Sequence, residues 1–321
     1  MTTILRRESR IPSLAGATRW LNSEPLGPAD VQGRVVLFDF GTYTCINWLR
    51  TLPYVRAWVE RYREHGLIVV GIQTPEFEFE RNVESVRREV RARKIDWPVA
   101  VDNDYELWQA FGNRFWPALY LADRDGVIRH RHFGEGQYEQ SEQVIQQLLG
   151  LPSQDPVTVA GDGDEAEPDW ARLNSPETYL GYDRTENFAS SGGVGRGEAR
   201  AYAAPDRLGL NRWALSGDWT MERERVTLNA AGGRISFRFE ARDLHLVLRR
   251  AGQSEPVPFR VLLDGEAPGA AHGVDADAEG NGRLEDDRMY QLVRQPGRVD
   301  ERTFEITFLA AGVEAYVVTF G

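Results

Sequence analysis

Cys45 is the only cysteine among 321 residues, and its position makes it a candidate for chemistry. It follows the apolar run Val35-Val36-Leu37-Phe38-Asp39-Phe40. It precedes Ile46, Leu49, Val55, Trp58, Val59 and Tyr62, which recur at helical spacing as far as His65 and Gly66. A cysteine between a buried strand and a helix start meets the free amides of the first turn and the positive end of the helix dipole. Both favour the thiolate, which is the attacking form in thiol–disulfide exchange. Peroxide could instead oxidise the sulfur to a sulfenic acid. One cysteine permits no disulfide within these residues, and it fits a reducing compartment.

Other clusters read as structural. His130 and His132 alternate on a strand with no third ligand in view, and are read as a polar outer face. Asp275, Asp277 and Glu279, with Asp286 at the twelfth place, loosely copy a calcium loop, but Gly282 stands where a hydrophobic residue belongs and the setting is a turn. The glycine-rich stretch Ser191 to Gly197 follows no strand and opens no helix, so it is read as a loop and not a phosphate cradle. No metal and no cofactor is expected.

The elements that must position Cys45 are legible. Strands are expected at Val35–Phe40 and Leu67–Ile72, then a short one at Trp97–Val101. Two more, Ala118–Ala122 and Val127–Phe133, are joined by Asp123-Arg124-Asp125-Gly126, a hairpin signal. Helices fall between them, marked by Phe79, Val83, Val86 and Val90, by Tyr105–Phe111, and at the end by Tyr138–Leu149. Alternation first and antiparallel pairing last predicts a mixed sheet with helices on both faces. Residues 1–34 read as a lead-in, giving a first domain over 1–151. Residues 152–171 hold six acidic residues and, before Arg172, no basic one, and read as a solvated acidic linker.

From 172 to 321 the helical period fades. Seven short runs take over: Arg225–Leu228, Arg234–Phe239, Leu244–Leu248, Phe259–Leu263, Met289–Val293, Thr303–Phe308 and Ala315–Phe320. Turn residues such as Gly232-Gly233 and Asp264-Gly265 separate them. This spacing predicts an antiparallel β-sandwich of jelly-roll type. Trp213, Trp219 and Tyr290 could stack on sugar rings or pack the core, so a glycan is one partner to consider for this domain.

A formal charge of −11 argues against a nucleic-acid surface. Met1 to Ala15 shows no apolar signal-peptide core, and no window is long and apolar enough to span a bilayer. A cytoplasmic place is the expectation from these residues.

The stretch Phe38 to Trp48 resembles the active-site segment of thioredoxins, and most closely the TlpA-like redoxins. Asp39 lies six residues before Cys45, where the family carries a buried acid that moves protons. Pro53 lies eight after it, at the kink of the family's active-site helix. Trp116-Pro117 precedes a strand, where the family places a cis-proline that presents backbone to an incoming peptide. Thr74-Pro75-Glu76-Phe77, Asp102-Asn103-Asp104 and His132-Phe133-Gly134-Glu135-Gly136 extend the likeness to the thioredoxin-like domain of DipZ-type proteins. Ser175 to Tyr182, Leu215 to Trp219 and Tyr290 to Gln295 extend it to their C-terminal module, which is similar to carbohydrate-binding-module sandwiches. The resemblance implies an α/β thioredoxin fold followed by an all-β sandwich. Relatives of this architecture commonly work outside the cytoplasmic membrane.

The departures from the family are specific. The family's CxxC stands here as Cys45-Ile46-Asn47-Trp48, so the resolving thiol is replaced by Trp48. Gly41 stands where thioredoxins usually have tryptophan, which opens space beside the cysteine or leaves it more exposed. Thr42 stands three before Cys45 as in peroxiredoxins, but Phe38 occupies the place of the proline those enzymes need, and the echo is read as coincidence. One function that fits is a monothiol oxidoreductase. Cys45 is then the nucleophile, Asp39 the proton-transfer partner, and Trp48, Trp116 and Pro117 the docking surface. Its partners would be a low-molecular-weight thiol or a thiol/disulfide protein. The other function is binding, through a thioredoxin fold without redox chemistry and a sandwich that recognises a glycan or a protein.

Overall fold

The computed structural model describes residues 9–252 and 255–321. The arginines of the lead-in at Arg6-Arg7 lie outside the described residues. The chain divides into two compact units, Met1–Ala166 and Glu167–Gly321. Among the described residues, no helix is long and apolar enough to cross a membrane.

The first unit is built on a six-stranded sheet: β1 (Arg19–Leu21), β2 (Val35–Gly41), β3 (Leu67–Gln73), β4 (Val99–Val101), β5 (Ala118–Ala122) and β6 (Ile128–Phe133). Their order is β1-β4-β3-β2-β5-β6. Strands β2, β3 and β4 run parallel, and β5 and β6 pair antiparallel beyond β2. Every residue of β2 is buried, as expected for a central strand covered on both faces. Five helices surround the sheet: α1 (Pro28–Val31), α2 (Ile46–Tyr62), α3 (Val83–Ala92), α4 (Glu106–Phe111) and α5 (Tyr138–Leu149). Phe38, Phe40, Phe111 and Tyr120 meet edge to face in the core on one side of β2. This is the thioredoxin fold with its mixed sheet.

Three expectations are refined. The lead-in is not merely a leader: Arg19–Leu21 pairs antiparallel with β4 as an edge strand, and α1 follows it. Of the stretch 152–171 read as a linker, the part up to Ala166 groups with the first unit and is tied to it at a few points. Arg93 grips Asp164 through two hydrogen bonds of 2.7 Å, Arg56 binds Glu165, and the Val157 amide donates to Glu142. Asp164 and Glu165 are thus paired with Arg56 of α2 and with Arg93, which caps α3. The histidines of β6 are not an outer face either. His132 is buried, and His130 lies against Ser141 of α5. Burial holds both imidazoles below their ordinary pKa, which keeps them neutral.

The second unit is a curled, all-antiparallel, sandwich-like sheet. Its strands are β7 (Thr178–Tyr179), β8 (Ala199–Tyr202), β9 (Trp213–Met221), β10 (Val226–Leu228), β11 (Arg234–Phe239), β12 (Asp243–Arg250), β13 (Val257–Leu263), β14 (Asn281–Leu284), β15 (Arg288–Arg294), β16 (Arg302–Phe308) and β17 (Val313–Phe320). The main path runs β14-β13-β16-β11-β9-β10-β17-β12-β15. Strand β9 serves both halves. Its first part, Trp213–Ser216, pairs with β11, and its second part, up to Met221, pairs with β10 and β8. The break falls at Gly217, with φ +97, where an added Cβ would lie 2.9 Å from Gly233 Cα. Sequence reading missed β9 because Ser216, Gly217 and Asp218 interrupt its apolar pattern. Trp213, Trp219 and Tyr290 are all fully buried, so they belong to the core and present no face to a sugar ring. Asp275 is held by Arg288 and by the Gln291 amide, and Asp277 accepts from the Asn281 amide. These acids build a turn.

Candidate functional site: Cys45 and its surroundings

Strand β2 ends at Gly41, and the turn Thr42-Tyr43-Thr44 delivers Cys45 to the N-cap of α2. The Cys45 amide donates to the Thr42 carbonyl at 3.1 Å. The residue is 7% exposed, so the sulfur is shielded and not laid open by Gly41. Its thiol donates to the Trp116 carbonyl at 3.9 Å. The Trp116–Pro117 peptide bond is cis. Trp116 is itself held in place: its indole N–H donates to the Thr74 carbonyl at 3.0 Å and its ring leans on Trp108. Cys45, Trp116 and Pro117 are thus gathered in one place.

Asp39 and Trp48 form a second, inner pair. Asp39 is buried at the middle of β2, and the Trp48 indole N–H donates to both of its carboxylate oxygens, at 3.2 and 3.1 Å. Burial pushes the Asp39 carboxyl up to about 7, and the indole hydrogen bond opposes this only in part. Trp48 is 7% exposed. Its ring turns inward, where the sequence suggested a wall for a docking partner. The space it fills is the one Gly41 leaves. A Cβ on Gly41 would lie 2.2 Å from both Cδ1 and Nε1 of the indole. The Trp48 indole thus fills the space beside Gly41, the position where the resemblance leads one to expect a tryptophan.

Two groups near Cys45 escaped sequence reading. Glu80 is fully buried behind the turn. It accepts from the Thr44 hydroxyl, and its other oxygen accepts from the amides of Glu76 and Phe77. Thr42 also binds Glu80 and takes a hydrogen bond from Gln73 at 2.9 Å. The signal was an acid directly after Phe79 in the alternating run Phe77-Glu78-Phe79-Glu80, where Phe77 and Phe79 are buried and stacked. The second group is the pair of Arg50 and Glu135 at 3.1 Å, with side chains only 3% and 11% exposed, tying α2 to the loop after β6.

The surface beside the sulfur is apolar. Among the described residues of the first unit, the exposed large apolar side chains are Phe115 and Phe133, and they touch, with ring centroids 5.4 Å apart. Phe115 precedes Trp116, and Phe133 pairs across the sheet with Ala118, the residue after Pro117.

Fold and site together define a thioredoxin-like redoxin of the type found in thiol-disulfide oxidoreductases. Over most of its length the chain resembles part of DipZ-type proteins. Residues 19–131 match the AhpC/TSA family, and residues 175–321 match the family described as "Thioredoxin like C-terminal domain". Protein DipZ of Mycobacterium bovis is 35% identical over 246 residues, which are 75% of this chain and 35% of DipZ. The chain thus spans about a third of the length of that relative. The thiol-disulfide oxidoreductase YkuV of Bacillus subtilis is 27% identical over 139 residues, 43% of this chain and 93% of its own. A solved thioredoxin-like protein, in its oxidised form, is 26% identical, with a TM-score of 0.42, over 44% of this chain and 96% of that one.

Proposed function

We propose that the chain carries out thiol–disulfide exchange through Cys45 as a monothiol. The observation that carries this is the placement of one sulfur at the N-terminus of α2, a helix of 17 residues, facing the Trp116 carbonyl beside Pro117. The helix terminus favours the thiolate. The thiolate attacks one sulfur of a partner disulfide, whose S–S bond breaks. The other half leaves as a thiolate and takes up a proton, and Cys45 is left in a mixed disulfide. No second cysteine lies within these residues to resolve it, so an external thiol attacks the partner's sulfur. Cys45 returns as a thiolate, and the external thiol ends in the new disulfide. One thiol is consumed and one released.

Asp39, poised at about 7, can hold or give a proton at neutral pH. The Phe115–Phe133 patch offers a polypeptide partner an apolar footing next to the sulfur. The test is mass spectrometry after exposure to oxidised glutathione, with Cys45→Ser as the blank. The expected result is a Cys45 mixed disulfide that added thiol releases. Reaction no faster than that of a cysteine in an unstructured peptide would overturn the assignment.

A further inference from the structure

Exchange as described makes no use of Glu80, although Glu80 is the acid bonded to the residue next to the nucleophile. It is fully buried, and no cation pairs with it among the described residues. Its hydrogen bonds come from two sides. The amides of Glu76 and Phe77 occupy Oε2, and the hydroxyls of Thr44 and Thr42 come from the turn that ends at Cys45. The Glu76 carboxylate adds a like charge from its own loop, and the next charged neighbours along the chain, Glu78 and Arg81, pair with each other. Tyr43, between the two threonines, meets the ring of Phe79, the residue before Glu80, edge to face.

We propose that Glu80 is a positioning residue for Cys45: its carboxylate fixes the Thr42–Thr44 turn, and its protonation state resets that turn. An amide can only donate, so a proton on the carboxyl cannot face Glu76 or Phe77. It must sit on the side of the threonine hydroxyls. Ionised Glu80 accepts from Thr44; neutral Glu80 donates to it, and the hydroxyl turns round. Burial places this change near neutrality, with the carboxyl pushed up to about 7. The ionised form also sets a negative charge one residue from the sulfur, which opposes the thiolate.

The inference rests on Cys45 being a reactive thiol, but not on any exchange activity, and alkylation separates the two. The experiment follows carbamidomethylation of Cys45 by iodoacetamide in the full chain from pH 5 to 9.5, read by mass spectrometry. The wild-type rate is expected to rise in two steps, the first near pH 7. In Glu80→Gln the first step disappears and the rate at pH 7 rises about fivefold, equivalent to a thiol pKa lower by somewhat under one unit. Thr44→Val, which removes the hydroxyl and keeps the shape, loses the first step as well. Asp39→Asn keeps it. A single-step wild-type curve overturns the proposal whether or not the variants fold. So does a first step that survives Glu80→Gln or vanishes only in Asp39→Asn. Should exchange with glutathione fail while the two-step alkylation holds, the function is wrong and the role of Glu80 stands.

Discussion

The Trp48 indole nitrogen lies 3.2 and 3.1 Å from the two carboxylate oxygens of Asp39, in the space left by Gly41. The residue in the resolving position is therefore a cap on the buried acid. Restoring a cysteine there by itself removes the cap and empties a core site.

Trp48→Cys should cost about 3–5 kcal/mol, as other large truncations in cores do. Gly41→Trp alone should also destabilise, because its side chain would collide with the indole. Together they should be better tolerated than the sum, with a coupling of at least about 2 kcal/mol in a double-mutant cycle from urea unfolding. Additive costs would mean that the two positions are independent.

Part of the pH dependence of stability follows from Asp39, beside the similarly raised Glu80. Its carboxyl is raised in the fold from 3.8 to about 7. Between those values the folded chain binds more protons than the unfolded one, so stability falls as pH rises through about 4 to 7. Asp39→Asn removes this contribution. The variant should gain on the wild type across that window, by up to about 4 kcal/mol on a scale of 1.36 kcal/mol per unit. Denaturation midpoints at pH 4.5, 6 and 8 measure the gain, and parallel curves for the two proteins would contradict it.

Arg50 is buried against Glu135. Arg50→Met leaves that carboxylate without its cation and should cost about 3 kcal/mol. Arg50→Met combined with Glu135→Gln should cost less than the single change. Thermal unfolding of the three proteins decides this.

The acidic segment after α5 should protect the first unit. Asp164→Ala removes both hydrogen bonds to Arg93 and should cost about 1–3 kcal/mol. Limited proteolysis should then cut within residues 152–166 sooner than in the wild type. Unchanged cleavage would show that the pairing does not hold the segment down.

What was legible in the sequence was what local patterning encodes. The apolar runs of β2 and β3, the helical spacing after Cys45 and the Asp-Gly hairpin all specify their own structure. Cys45, Asp39, Trp116 and Pro117 could be singled out by register along the chain. What could not be read were relationships that exist only across the fold. Whether Gly41 exposes the sulfur depends on where Trp48 points. Whether an acidic stretch is solvated depends on the arginines that reach it. Glu80 comes from a loop far along the chain, and only the turn at Thr44 gives it meaning. Strand β9 was hidden for the opposite reason: its polar centre conceals a strand that long-range pairing enforces.

That strand has a mechanical consequence. The backbone from Trp213 to Met221 is stitched to β11 before Gly217 and to β8 and β10 after it. The two halves of the second unit thus share one unbroken strand as a covalent girder, in addition to the core of side chains packed between them. Tension applied to either half reaches the other through Gly217, and the unit should yield in one step.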